Sequence, residues 1–242
     1  MLRILDARTG EPVPAAPARR GLTRIEAHAS GLDPTALRVL LTADLLVRAL
    51  ELGGTPVWTI LTAPRDQPEL RTAADRLAIR PFEDGRDLAS GLGEAQAIHV
   101  AQRDSRDRPG PGPVMDVAPV APTALNALLA DPIALRLALL AVPRSEPARL
   151  DAAALDDAAR SLARWRRSVA GWARRPSRPV PDEVRARLRA AWEDDLDLPA
   201  VLGVLRDVES EPGIPDGARF ETYAYADRLL ALDLARDLGS LA

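Results

Sequence analysis

Two histidines and a serine are the residues of this chain whose types and positions could do chemistry. His28 ends one predicted strand, Ser30 opens the turn that follows it, and His99 lies in a later predicted strand between Ile98 and Val100. Ligands of open α/β sheets bind beyond the carboxyl ends of the strands, so His28 could hold a phosphate there. The structural alternatives are a hydrogen-bonded loop histidine at position 28 and a buried strand histidine at position 99. We take His28, Ser30 and His99 as the candidate cofactor-binding residues.

The turn at residues 30–34 leads into a predicted helix, and a helix N-terminus can bind an anion through its free N–H groups and its dipole. Asp33 and Pro34 give this turn a second interpretation, because aspartate is a favoured N-cap and proline suits the first helical position. The Asp33 carboxylate would also repel an anion. We therefore favour helix capping over a phosphate site.

The chain contains no cysteine, which excludes disulfides, thiolate nucleophiles and thiolate metal sites. Two histidines far apart in the sequence are a poor substitute for such ligands, so we expect no metal site. The acidic segment Glu193-Asp194-Asp195, together with Asp197, could hold a metal or do acid–base chemistry. Catalytic carboxylates need a partner and a pocket, however, and the sequence reveals neither.

The charge balance gives no sign of a nucleic-acid-binding surface. All 32 basic residues are arginine and 35 residues are acidic, which gives a formal net charge of −3. Proteins held to nucleic acid by phosphate contacts normally carry a positive field. No run approaches the ~20 apolar residues of a membrane span, and residues 1–10 are too polar for a signal peptide. We expect a cytoplasmic protein with no membrane partner.

In the N-terminal half, predicted strands and helices alternate as they do in a parallel sheet with crossover helices. Strands are predicted at residues 2–6, 21–29, 55–61, 78–80, 97–101 and 114–117. Loops are predicted at 10–17 and, as a mobile segment, at 102–113, and helices at 34–52, 68–77 and 86–92. This order favours a Rossmann-like sheet.

After residue 130 the pattern becomes helical, with helices predicted at residues 151–174, 182–193, 198–208 and 223–238. Trp165, Trp172 and Trp192 follow the helical spacing of the leucines, which favours a place in the core over a platform for stacked bases. Short connections favour an antiparallel arrangement of the helices. The predicted fold class is therefore α/β plus all-α: a truncated Rossmann-like parallel-sheet domain at residues 1–130, followed by an antiparallel helical bundle at 131–242.

Four patches of the C-terminal half carry a resemblance to a known family. They are Asp131-Pro132-Ile133-Ala134-Leu135-Arg136, Leu162-Ala163-Arg164-Trp165-Arg166, the acidic turn from Trp192 to Ala200, and the segments at residues 220–222 and 230–234. In this order they resemble the helical domain of the cysteinyl-tRNA synthetases, which are class I aminoacyl-tRNA synthetases, and of the mycothiol-pathway cysteine ligase. Residues 2–12, 36–53 and 98–100 resemble the N-terminal half of the same family. The resemblance implies a fold that activates cysteine as an adenylate.

The catalytic signatures of that family are missing here. The resemblance implies a zinc-binding cysteine near Ala27, and the chain has none. It implies a His-x-Gly-His nucleotide motif where residues 30–34 stand, and a Lys-Met-Ser-Lys-Ser loop where residues 113–117 stand, in a chain without lysine. The family's anticodon-reading extension has no counterpart after the helices, so we do not expect anticodon recognition.

These losses predict a degenerate member of the family, not an active aminoacyl-tRNA synthetase. We expect it to bind a protein partner, a nucleotide or a metabolite, without a cofactor of its own unless ATP or an adenylate is that ligand. The alternative is an ATP-dependent ligase with a reshaped site that acts on a small molecule or tRNA, in which Arg103, Arg106 and Arg108 replace the lysines. A third hypothesis is tRNA binding without catalysis, which the net charge supports only weakly.

Overall fold

The computed structural model describes residues 1–17, 21–84, 94–103, 105, 109–121 and 124–239. The strands are β1 (Arg3–Asp6), β2 (Glu11–Pro14), β3 (Leu22–His28), β4 (Val57–Thr62), β5 (Glu83–Asp84), β6 (Glu94–Gln102) and β7 (Val114–Val117). The helices are α1 (Pro34–Leu52), α2 (Gln67–Arg76), α3 (Leu125–Leu128), α4 (Pro132–Leu140), α5 (Ala152–Trp172), α6 (Asp182–Glu193), α7 (Leu198–Ser210) and α8 (Asp216–Leu230). The predicted helix at 86–92, and Arg106 and Arg108, lie outside the described residues.

Parallel strands form the sheet that organises the N-terminal half. Their order is β5-β4-β3-β6-β7, and each neighbouring pair is parallel. The chain passes from β3 through α1 to β4 on one side of β3, whereas β6 lies on its other side. The strand order therefore reverses between β3 and β6, which is the place where α/β sheets open a crevice for ligands. A Rossmann-like sheet followed by a helical region is confirmed.

One face of the sheet is apolar and packs against α1. Ile25 and Ala27 of β3 and Ile98 and Val100 of β6 are buried in the main core on this face. Because side chains alternate along a strand, the residues between them point to the opposite face. Helix α1 has its predicted ends and is buried over most of its length.

A short hairpin precedes the sheet. Residues 11–14 form β2, which pairs antiparallel with β1, so the predicted loop at 10–17 is wrong over this stretch. Pro12 and Pro14 lack an N–H group, and β2 tolerates them because it pairs along one side only. The hairpin is joined to the main sheet where the N–H group of Ala7 donates to the carbonyl of Val114 over 2.8 Å.

Two other predicted elements are wrong. Residues 78–80 are not a strand, because Ala78 has a φ of 54° and the N–H group of Ile79 bonds back to the carbonyl of Ala74. The last described helix runs from Asp216 to Leu230 instead of over 223–238. It ends because Ala231, with a φ of 49°, turns the chain into the left-handed region.

The helical region has the core that its periodicity predicts. Asp151 caps α5 by accepting a hydrogen bond from the N–H group of Ala154 over 2.9 Å. Trp165 and Trp192 are buried at 1% and 3% exposure, which confirms that they belong to the core and do not form an open stacking surface. No helix among the described residues is both long enough and apolar enough to cross a bilayer.

A buried arginine joins α1 to the helical region. The Arg38 guanidinium is 2% exposed and donates to four backbone carbonyls, those of Ala118, Val142, Pro143 and Glu146, at 2.6 to 3.2 Å. Burial lowers the pKa of Arg38 to about 10, and the positive charges of Arg103 and Arg144 act in the same direction.

Candidate functional site

The sheet brings His28 and His99 together on the face opposite α1. The parallel register of β3 and β6 sets Glu26 beside His99 and His28 beside Ala101. As a result His28 Nε2 lies 3.0 Å from His99 Nδ1. Our premise that the two histidines are too distant to act together is wrong, because adjacent parallel strands cancel their separation of 71 residues along the chain.

Glu26 is the third member of this cluster, and it was not among the residues predicted from the sequence. Its carboxylate oxygens lie 3.8 Å from His28 Nε2 and 3.5 Å from His99 Nδ1. The hydroxyl of Thr62, at the end of β4, donates to Glu26 Oε1 over 2.8 Å. One ligand atom from each of the three residues lies within 4.8 Å of the others, which is close enough for all three to hold one ion.

A loop at residues 109–113 covers His99, which is only 1% exposed. The ring nitrogen His99 Nε2 lies 3.2 Å from the carbonyl oxygen of Pro111. The backbone N–H group of His99 donates to the carbonyl of Pro113 over 3.0 Å. Burial lowers the pKa of His99 more than the Pro111 carbonyl and Glu26 raise it, so the ring is neutral at pH 7. With Nε2 protonated and donating to Pro111, Nδ1 carries the lone pair, which faces His28 Nε2 at 3.0 Å and Glu26 at 3.5 Å.

Two arginines border the cluster and add positive charge beside it. Arg24 Nε lies 3.9 Å from Glu26 Oε2. Arg8, in the turn of the N-terminal hairpin, donates to the carbonyls of Pro109 and Gly110 at 2.9 and 2.5 Å and so holds the covering loop in place. Both arginines act to lower the pKa of His99.

Ser30 lies apart from the strand positions that form the cluster. It is exposed in the loop that follows β3, and its carbonyl oxygen accepts a hydrogen bond from Arg65 Nε over 3.3 Å. The described hydrogen bonds therefore link Ser30 to the next loop of the sheet and not to either histidine.

The N-terminus of α1 is closed by acidic side chains. Asp33 Oδ1 accepts from the N–H group of Ala36 over 2.8 Å, which confirms the predicted cap. Asp66, in the loop after β4, accepts from the N–H group of Leu32 over 3.2 Å. The two carboxylates therefore occupy N–H groups that an anionic ligand at this helix N-terminus would need.

Three of the four acidic side chains before α7, those of Glu193, Asp195 and Asp197, have structural partners. Both carboxylate oxygens of Asp195 bond to Arg144 at 2.5 and 2.6 Å, and Asp197 caps α7. The carboxylate of Glu193 lies 2.7 Å from the N-terminal amine of Met1. Ion pairs and a cap thus account for these three carboxylates, which could have suggested a metal or acid–base site.

Arg103 is the one described member of the three arginines that could replace the lysines of a phosphate clamp. Its Nε lies 2.6 Å from the Asp116 carboxylate. Binding a phosphate would therefore require Arg103 to leave Asp116.

A second concavity, of about 230 Å³, opens beside α4 and α5. Leu137, Leu150 and Trp165 line its apolar wall, and Arg149 and Arg206 lie at its margin. It offers room for a small molecule, although without an arrangement of groups that would do acid–base chemistry.

Comparison with known proteins gives a partial match. No protein-family model matches the chain. L-cysteine:1D-myo-inositol 2-amino-2-deoxy-alpha-D-glucopyranoside ligase from Streptosporangium roseum is 43% identical to it over 76 residues. These residues are 31% of this chain and 18% of that ligase, so the chain matches well under two thirds of the relative. The similarity supports a ligase-like relationship at the level of the family over the matched segment.

Proposed function

We propose that the chain is a relative of the cysteine ligases that does not form an adenylate and that binds a small ligand at the reversal of strand order between β3 and β6. The observation that carries the proposal is the contact of the Asp66 carboxylate with the N–H group of Leu32 at the entrance to α1. A phosphate would have to displace a negatively charged side chain there, and the adjacent Asp33 adds a second one.

The absence of lysine and cysteine from the chain supports the same proposal. The clamp arginine that the structure describes, Arg103, already pairs with Asp116. The polar groups at the reversal of strand order include Glu26, His28 and His99, and these suit a ligand that is not a triphosphate. The competing hypothesis, a reshaped ATP-dependent ligase, draws its support from the similarity to the Streptosporangium roseum ligase.

The test is calorimetric titration of metal-free protein with ATP, AMP and a nonhydrolysable cysteinyl-adenylate analogue, together with pyrophosphate release measured across all amino acids. We expect no pyrophosphate release and no heat from ATP. Asp66→Ala provides the matched probe, because removal of the carboxylate should create weak binding of ATP or inorganic phosphate. Glu69→Gln, which changes an exposed carboxylate of α2, should not.

The outcomes separate the hypotheses. Pyrophosphate release with any amino acid would overturn the proposal and favour the reshaped ligase. ATP binding by the wild type without pyrophosphate release, lost in His28→Ala, would identify a nucleotide as the ligand and would contradict the role given to Asp66.

A further inference from the structure

We propose that Glu26, His28 and His99 hold a divalent transition metal, and that zinc is the ion their donor atoms fit best. This inference rests on the proposed function in that it assigns a metal to the same place in the sheet, where the strand order reverses between β3 and β6. The sequence alone led us to expect no metal. That expectation depended on the absence of cysteine and on the separation of the two histidines along the chain, and the structure places the histidines side by side.

The distances between the donor atoms match a tetrahedral ion. Zinc binds nitrogen and carboxylate oxygen at about 2.0–2.2 Å, so two of its ligand atoms lie about 3.4 Å apart. The histidine nitrogens are 3.0 Å apart, Glu26 Oε2 lies 3.5 Å from His99 Nδ1, and Glu26 Oε1 lies 3.8 Å from His28 Nε2. One ligand atom from each residue lies within 4.8 Å of the other two, so small rotations of the side chains would bring all three onto one ion.

The hydrogen-bond partners of the proposed ligands are also typical of a metal site. A metal-binding histidine typically donates its other ring N–H to a carbonyl or carboxylate, which fixes the tautomer and the orientation of the ring. The Pro111 carbonyl accepts such a bond from His99. The Thr62 hydroxyl orients Glu26 by donating a hydrogen bond to its Oε1. The Pro111 contact of Nε2 leaves His99 Nδ1 as the nitrogen that faces His28 and Glu26.

The donor set differs from the zinc site that the family resemblance implies. That site uses thiolates, which this chain cannot supply, since it has no cysteine. Two imidazoles and a carboxylate fit zinc better than magnesium or calcium, which prefer oxygen ligands. Three protein ligands leave a fourth position for water or for a group of the bound ligand, as in catalytic and ligand-binding zinc sites.

Arg24 sets a limit on the affinity. Its guanidinium lies 3.9 Å from Glu26 and repels a cation, so it offsets part of the attraction that the carboxylate provides. Glu26 remains within reach of the ion on the side of the histidines. We therefore expect zinc affinity in the micromolar range and not that of a thiolate site.

The experiment is titration of the metal-free full chain with ZnCl₂ by calorimetry and with CoCl₂ by visible absorption, where d–d bands report a tetrahedral nitrogen and oxygen site. The variants are Glu26→Gln and His28→Ala, whose side chains are only partly buried, so the folds should persist and circular dichroism checks this. Glu69→Gln is the control for an exposed carboxylate.

We expect one ion per wild-type chain, about 100-fold weaker binding in Glu26→Gln and His28→Ala, and about 10-fold weaker binding in Thr62→Val. The control should bind as the wild type does. No binding by the wild type, or losses smaller than tenfold in both ligand variants, would overturn the metal site. Neither result depends on pyrophosphate release, so a failure of the metal proposal is distinguishable from a failure of the proposed function.

Discussion

Arg136 of α4 donates to the carboxylate of Asp44 in α1 across 2.9 Å, and both side chains are completely excluded from solvent. The same guanidinium donates to the carbonyls of Leu77 and Leu230 at 2.8 and 2.6 Å. One buried cation therefore connects α1, the end of α2 and the end of α8. Arg136 lies in the Asp-Pro segment that carries the family resemblance, and its role here is structural.

Removing this arginine should destabilise the whole chain. Arg136→Met leaves the buried Asp44 carboxylate with Arg48, at 2.9 Å, as its remaining described ion-pair partner, and breaking a buried pair costs up to about 3–5 kcal/mol. Urea unfolding of the variant measures the loss. The exposed pair of Arg160 and Asp157 is the control, since Arg160→Ala should change the free energy of unfolding by less than about 0.5 kcal/mol.

A double variant tests the mechanism of that loss. Arg136→Met combined with Asp44→Leu removes both fully buried charges, and it should recover part of the stability because Arg48, which also pairs with Asp44, is partly exposed to solvent. A double variant as unstable as Arg136→Met would show that the bonds to the carbonyls of Leu77 and Leu230, and not the buried charge, dominate the loss.

Gly112 is expected to tolerate no side chain. Its φ is +124°, and a Cβ atom there would lie 2.5 Å from the carbonyl oxygen of Ala97. Gly112→Ala should therefore lower the free energy of unfolding by about 2 kcal/mol and displace the loop that covers His99. Gly110→Ala is the matched control in the same loop, because its nearest contact, the His99 ring, is 3.8 Å away. Equal losses in the two variants, measured by urea unfolding, would contradict the steric argument.

The buried carboxyl group of Asp227 should make the free energy of unfolding depend on pH. Burial raises the pKa of Asp227, and Asp233 adds to this, while the N–H groups of Leu232 and Leu234 and the charge of Arg136 oppose it. A carboxyl with a raised pKa in the folded state contributes stability that is present below the unfolded pKa of about 3.9 and is lost as the pH rises through the folded pKa.

The variant Asp227→Asn isolates this contribution. From pH 4 upward, the free energy of unfolding of the wild type relative to Asp227→Asn should decrease and then level off above the folded pKa. Urea unfolding of both proteins at several pH values gives this difference. A difference that stays constant, or that grows with pH, would contradict the raised pKa.

Local chemistry accounts for the elements that the sequence predicted well. Helix α1 runs over the predicted residues because Asp33 and Pro34 start it and Gly53 ends it, and α6 also matches its predicted bounds. The strand β2 was missed because its two prolines favoured the prediction of a loop, although a strand at the edge of a sheet tolerates proline. The end of α8 was missed because it depends on left-handed turns at Ala231 and Asp233, which are not glycines.

The candidate site was only partly predictable. Both histidines were chosen as candidates, but their contact depends on the register of β3 and β6, which the sequence does not determine. Glu26 could have been found from the alternation along β3, where buried Ile25 and Ala27 enclose it and place it on the same face as His28. The roles of Arg38 and Arg136 could not have been found, because nothing local distinguishes a buried arginine from an exposed one on a helix.

The four carbonyl groups around Arg38 determine how the chain should come apart in acid. Carbonyl oxygens do not titrate, and a guanidinium with a pKa of about 10 stays charged at every lower pH. Acid that neutralises carboxylates elsewhere therefore leaves these bonds intact. We expect partly unfolded species at low pH to keep α1 packed against residues 142–146. Hydrogen exchange at low pH should therefore be slowest for the backbone amides of α1 and of these residues.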